Sequence, residues 1–203
     1  MKIDPEIIRG KLLQIYDQKV KYCPPIPGFS GTKKQPAAVL IPLLLDKEIW
    51  KILFIKRTHH VEDRHSGQIA FPGGQADQDD ISLQITALRE AEEEIGINPN
   101  DVNILGKSCP ITTITNYEVT PYVGVLPWPY PLNLSRIEVE KIILIPVNWL
   151  INPQHHQIKS WKPDPANGRG IPVIFFEEYQ GEILWGASAQ IVVDFLEIIH
   201  TSP

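Results

Sequence analysis

A chain of 203 residues is long enough for one domain with a proper core, without disulfide or metal staples. Apolar residues make up 43% and charged residues 21%, near the averages for a soluble globular protein. The net charge is 19 − 24 = −5 with no long block of one sign, which removes the electrostatic case for a nucleic-acid partner. No apolar run approaches the ~20 residues that span a bilayer, so no membrane role is expected. The start lacks a signal peptide's apolar stretch and the end is no peroxisomal tripeptide; the expected location is cytoplasmic. Cys23 and Cys109, far apart and without a metal-site spacing, read as two buried thiols in a reducing compartment.

The first predicted element is a helix from Pro5 to about Tyr16, with Ile7, Ile8, Leu12, Leu13 and Tyr16 at helical spacing. Residues 23–36, rich in Pro, Gly, Ser and Lys, read as a loop. Two strand-like runs, Ala37–Leu45 and Ile49–Lys56, flank a short polar turn and predict a β-hairpin. A polar loop leads to a short strand around Gln68–Phe71 and a tight turn at Pro72-Gly73-Gly74. Residues 82–95 predict a helix, with Ile81, Ile85, Leu88, Ala91 and Ile95 as its apolar stripe. Asp79, Asp80 or Ser82 can cap its start, and Gly96 sits where a closing glycine belongs. Strands follow near 102–107, 117–126 and 139–145, then a helical turn after Pro146, strands near 156–161, 173–177 and 182–185, and a last helix over 187–200. The pattern predicts one α/β domain built on a mixed sheet. Residues 1–36 are expected to form a helix and loop packed on a main domain of residues 37–203.

The chemistry concentrates on the central helix. Glu90, Glu93 and Glu94 stand at i, i+3 and i+4, within one sector of about 100°, on a face roughly opposite the apolar stripe. Three carboxylates on neighbouring turns repel one another, and a divalent cation converts that repulsion into attraction. All-oxygen ligation suits Mg²⁺ or Mn²⁺, which keep waters and accept phosphate oxygens. Taken alone, such a face is ordinarily a solvated one. The preceding Gly73 and Gly74 permit positive φ and close approach of the backbone to a ligand.

Joined to Arg89-Glu90-Ala91-Glu92-Glu93-Glu94-Ile95-Gly96-Ile97, the glycine pair resembles the Nudix hydrolase signature, G-x5-E-x7-R-E-U-x-E-E-x-G-U, where U is aliphatic. The second half matches closely. In the first half, five residues after Gly74 stands Asp80 instead of Glu, and eight residues instead of seven separate it from Arg89. Asp80 can therefore cap the helix or support the metal site with a shorter reach. The resemblance implies an α/β/α sandwich with a mixed sheet and a loop-helix-loop catalytic motif. It implies that Glu90, Glu93 and Glu94 bind Mg²⁺ or Mn²⁺ and that Arg89 orients a neighbouring carboxylate. Glu93 is taken as the group that accepts the attacking water's proton.

The resemblance covers roughly residues 37–199 and extends to the coenzyme A diphosphatase branch. It is carried by the segment from Arg57-Thr58 through Arg64-His65-Ser66-Gly67 to Phe71-Pro72-Gly73-Gly74, by Val119-Thr120-Pro121-Tyr122, and by Trp185-Gly186-Ala187-Ser188-Ala189. It implies hydrolysis of coenzyme A to 3′,5′-ADP and 4′-phosphopantetheine. Arg57 and Arg64 are candidate readers of the 3′-phosphate, either of them equally a solvated loop cation. His65 is a candidate substrate contact. Glu138, at a strand start where the branch carries a glutamate, is a candidate fourth metal ligand or a residue on the wet face of its strand. Another substrate, such as ADP-ribose, and a non-catalytic nucleotide sensor are the alternatives. The expected partner is a small-molecule diphosphate, with self-association as a homodimer left open.

Overall fold

The computed structural model describes residues 3–17, 34–59, 67–161 and 170–200. Helix α1 (Pro5–Asp17) opens on a proline, whose missing N–H falls in a turn where that donor has no helical partner. Its buried face is Ile8, Leu12 and Ile15, whereas Ile7 and Leu13, expected inside, are exposed. Strands β1 (Gln35–Asp46) and β2 (Ile49–Arg57) form the expected hairpin. Lys47 and Glu48 both take positive φ at its tip, which matches the twist of the paired strands.

The main sheet has eight strands. Strand β3 (Ile69–Ala70) pairs with β2, and β4 (Gly73–Gln75) pairs with β1. Strands β5 (Asn103–Lys107) and β6 (Ile111–Thr112) pair with β7 (Tyr117–Val125), and β8 (Val139–Pro146) pairs with β2. Among the described residues only β1 and β7 run parallel, so the sheet is mixed. Strand β1 is buried on both faces, which is why it reads as a continuous apolar run. Leu40 and Leu44 face helix α2 (Leu83–Ile95). Ile41 and Leu43 face the layer of α1 and α4 (Gly186–His200). The α/β/α sandwich is thereby established, and α1 shares a core with the strands. A single turn, α3 (Val147–Leu150), follows β8 as the proline predicted.

Three points depart from expectation. Strands β9 (His156–Trp161), β10 (Ile171–Tyr179) and β11 (Glu182–Trp185) form a separate three-stranded sheet instead of extending the main one. Antiparallel neighbours satisfy each other's backbone groups, and Ile174, Phe176 and Leu184 close its inner face against the core shared with α4. Residues 73–75 make a short strand where a turn was expected. Cys109 is buried and disulfide-bonded, so it is no free thiol; separation along the chain is no guide to pairing in space, and Cys23 lies outside the described residues. Among the described residues no helix is long and apolar enough to cross a membrane.

Candidate active site

Helix α2 is capped by Ser82, whose hydroxyl accepts the Ile85 N–H at 3.3 Å, and is closed by Gly96 at φ 70°. Its packing face differs from the stripe read in the sequence. Ile81 is 91% exposed and Ile85 is also exposed, while Ala87 and Ala91 are fully buried beside Leu88 and Ile95. Strand β4 comes against this helix through the two glycines. A Cβ on Gly73, at φ 153°, would lie 2.4 Å from the Ala38 carbonyl oxygen. A Cβ on Gly74 would lie 2.6 Å from the Glu90 carboxylate.

That close packing brings Glu94 inside. It is only 3% exposed, which corrects the expectation that the three glutamates share a face opposite the apolar stripe. Glu94 stands seven residues after Ala87 and three after Ala91, so it points with them toward the sheet. The Gly73 N–H donates to its Oε2 at 2.9 Å, and Arg57 Nη1 lies 3.7 Å from its Oε1. Burial pushes the Glu94 carboxyl up to about 8, opposed by the Gly73 N–H and Arg57, with Glu90 and Glu138 pushing further upward. Burial also raises Glu90, against the pull of Arg89. Glu93 stays in water, with 56% of its side chain exposed. Glu138 is exposed and immediately precedes β8, whose Val139 pairs with Arg57. Its charge is felt by both Glu90 and Glu94.

Arg89 holds the other carboxylates. Its Nη1 donates to Glu90 Oε1 at 2.9 Å and to Glu93 Oε2 at 3.2 Å. Its Nε and Nη2 fork onto Asp80 Oδ1 and Oδ2 at 3.1 and 3.0 Å, and Nη2 also meets the Gln75 carbonyl at 3.3 Å. The open question over Asp80 closes here: Ser82 takes the cap, and Asp80 anchors Arg89. Its Oδ2 further accepts the Thr86 hydroxyl and the Asp77 N–H, each at 2.9 Å. The hydrogen bonds from Arg89 hold the Asp80 carboxyl well below the usual carboxylate range.

The predicted residues therefore form two groups, Glu90 and Glu93 with Arg89, and Glu94 with Arg57, Gly73 and the charge of Glu138. Among the described residues no group of three or more acidic, histidine or cysteine side chains is placed so as to hold a metal ion. Arg64 and His65 lie outside the described residues. Sequence reasoning missed Thr86 and the Gln75 carbonyl; the one signal for them was the aspartate displaced from the signature's glutamate position.

A helix carrying these carboxylates thus stands against a glycine-containing strand of a mixed sheet. The family model for the NUDIX domain matches residues 33–164. An uncharacterized Nudix hydrolase NudL of Yersinia pestis (strain Pestoides F) is 34% identical over 195 residues, covering 92% of this chain and 94% of the relative. The NudL of Yersinia pseudotuberculosis serotype O:1b (strain IP 31758) matches to the same extent. The chain thus belongs to the Nudix hydrolase family. Among solved structures, a MutT/nudix family protein from Enterococcus faecalis is 16% identical with a TM-score of 0.49, covering 91% of this chain and 66% of that one. A Caenorhabditis elegans Ap4A hydrolase binary complex is 18% identical with a TM-score of 0.49, covering 55% of this chain and 80% of that one.

Proposed function

We propose that this chain hydrolyses the diphosphate of coenzyme A or its acyl derivatives, using Mg²⁺ or Mn²⁺, to 3′,5′-ADP and 4′-phosphopantetheine or its acyl form. The observation that supports this reading is where the described ends of the coenzyme-A-like segment, residues 57–59 and 67–74, lie. Arg57 at its start faces Glu94, and Gly73 and Gly74 at its end meet Glu94 and Glu90. Both described ends of the segment that resembles this branch therefore adjoin the acidic residues.

The donors fit a hard divalent cation. Glu94 is a buried carboxylate with one backbone donor and one distant guanidinium, beside the charges of Glu90 and Glu138. Glu90, Glu93, Glu94 and Glu138 would hold the metal through oxygen alone. When bound, it neutralises phosphate oxygens and acidifies the attacking water. The water oxygen bonds to one phosphorus, the bridging P–O bond breaks, and the bridging oxygen leaves with the other phosphate. Glu93, reachable from solvent, takes the water's proton. Arg89 orients Glu90 and Glu93, and Arg57 meets the diphosphate where Glu94 stands. The glycines let the substrate approach the strand without a side chain in the way.

Mass spectrometry of products from a panel of coenzyme A, acetyl-coenzyme A, dephospho-coenzyme A, ADP-ribose and dinucleoside polyphosphates tests this. Release of 3′,5′-ADP in Mn²⁺ is the expected outcome. Turnover of ADP-ribose with coenzyme A intact would refute the branch and keep the hydrolase.

A further inference from the structure

We infer that Thr58 is a positioning residue for Glu138: its bonds to the Ile137 and Glu138 carbonyls set the backbone from which that carboxylate completes the metal site. The inference rests on the reading of Glu138 as a ligand above and concerns a residue to which that reading gives no role. Glu138 is exposed and lies outside α2, in the turn before β8, so its place beside Glu90 and Glu94 has to come from the fold. Its charge nonetheless reaches both of them. Two sets of bonds account for this. On one side Ser135 ties the turn to α2. Its N–H donates to the Glu94 carbonyl at 2.9 Å, and its own carbonyl accepts the Glu138 and Val139 N–H groups at 3.0 and 2.7 Å. The Asn133 N–H adds a bond to the Ile95 carbonyl at 3.0 Å, so the turn takes up carbonyls at the end of α2 that have no partner within the helix.

On the other side Thr58, just after β2, bonds twice. Its N–H donates to the Glu138 carbonyl at 2.9 Å, and its hydroxyl donates to the Ile137 carbonyl. Thr58 directly follows Arg57, whose guanidinium lies 3.7 Å from Glu94. One dipeptide thus addresses both carboxylates, Glu94 through a side chain and Glu138 through its backbone. The strand pairing explains why Glu138 arrives on this side. Lys56 pairs with Lys141 and Arg57 with Val139, which leaves Glu140 as an extra residue in β8. Such a bulge bends its strand and re-aims the neighbouring side chains. Glu140 and Lys141 consequently both reach the ion pairs around Lys56 and Glu182, although consecutive strand residues ordinarily face opposite ways. Val139 is turned into the core under α2. With its backbone held from both sides, Glu138 has only side-chain rotations to give up when a cation arrives.

Mn²⁺ binding to the full chain, followed by electron paramagnetic resonance, tests the inference, with thermal melts to check that each variant folds. Thr58→Val keeps the branched shape and the backbone N–H but offers no donor to the Ile137 carbonyl. Supporting partners around metal ligands contribute about 10–100-fold in metal affinity. For one exposed bond the low end applies, so the Mn²⁺ Kd should rise roughly tenfold. Thr58→Ser, which restores the donor, should bind as the wild type does. The decisive comparison is made in a Glu138→Gln background, where a residue acting through Glu138 has nothing left to position. There Thr58→Val should change Kd by less than about twofold, because the two changes remove the same contribution. The same loss in both backgrounds, a Ser variant as weak as the Val variant, or wild-type affinity in Thr58→Val would overturn the inference. If Thr58→Val does not fold, Thr58→Ala takes its place. Wild-type Mn²⁺ affinity in Glu138→Gln overturns the reading of Glu138 as a ligand, and a wild-type chain that binds no Mn²⁺ overturns the metal-dependent reading as a whole, so the failures are told apart.

Discussion

Replacing Gly74 with alanine separates the demands of the fold from those of the site. The added Cβ would lie 2.6 Å from Glu90 Cδ and Oε2 and 2.7 Å from Oε1. Ordinary contact between such atoms begins near about 3.4 Å, so the carboxylate must retreat by roughly 0.8 Å. Retreat breaks the 2.9 Å bond from Arg89 and moves a predicted metal ligand. A displacement of about 1 Å at reacting groups costs on the order of 100-fold in rate, which is the expected fall in kcat. Stability should change by less than about 1 kcal/mol, because the displaced atoms end a flexible side chain and alanine restricts the unfolded state. Gly73→Ala is the contrast: its Cβ would meet the Ala38 carbonyl oxygen at 2.4 Å and the Val39 Cα at 2.5 Å, both backbone, so the fold itself should suffer. Kinetics with Mn²⁺ and thermal melts of both variants provide the readout. Full activity in Gly74→Ala, or equal destabilisation by the two, would refute the reasoning.

Glu94→Gln should abolish turnover, by more than about 100-fold, while leaving the melting midpoint unchanged or higher, since a neutral amide escapes the cost of a buried charge. A large loss of stability would show that Glu94 serves the fold. Arg57→Gln should raise KM about equally for coenzyme A and dephospho-coenzyme A, because Arg57 stands at Glu94 and meets the diphosphate they share. A loss confined to coenzyme A would make Arg57 the reader of the 3′-phosphate. Asp194 offers a pH test away from the site. Burial pushes its carboxyl up to about 6 from an ordinary 3.8, despite the Gln190 amide bonded at 2.7 Å. The fold therefore favours the protonated acid; that contribution is whole below about pH 3.8 and is lost as pH rises through about 6. Asp194→Asn should accordingly match the wild-type melting midpoint near pH 4 and exceed it above pH 7. A constant gap across that range would contradict the assignment.

Most elements were readable because each carries its own period. Residues 156–161 and 182–185 form strands with the predicted bounds, and Ile191, Phe195, Ile198 and Ile199 are all buried on α4. Two things were not readable. A three-stranded sheet with local pairing has the same alternation as strands of a larger one, so the split into two sheets leaves no mark in the pattern. On α2, Leu88, Ala91 and Ile95 of the expected stripe are buried, but Ile81 and Ile85 are exposed and the small Ala87 takes their place against the sheet. That rotation carried Glu94 into the interior, a burial that no periodicity of apolar residues announces. The glutamates and the glycine pair were found from the motif, whereas the role of Asp80 depended on where Arg89 points.

In the proposed function Glu90 and Glu94 hold divalent cations against a diphosphate. Anomalous diffraction from crystals grown with Mn²⁺ and a non-hydrolysable coenzyme A analogue addresses it most directly. A manganese peak is expected within coordination distance, about 2.2 Å, of Glu90 or Glu94 oxygens and of a diphosphate oxygen. Manganese found only elsewhere on the protein, with the diphosphate bound and these carboxylates still held by Arg89 and Gly73, would contradict it.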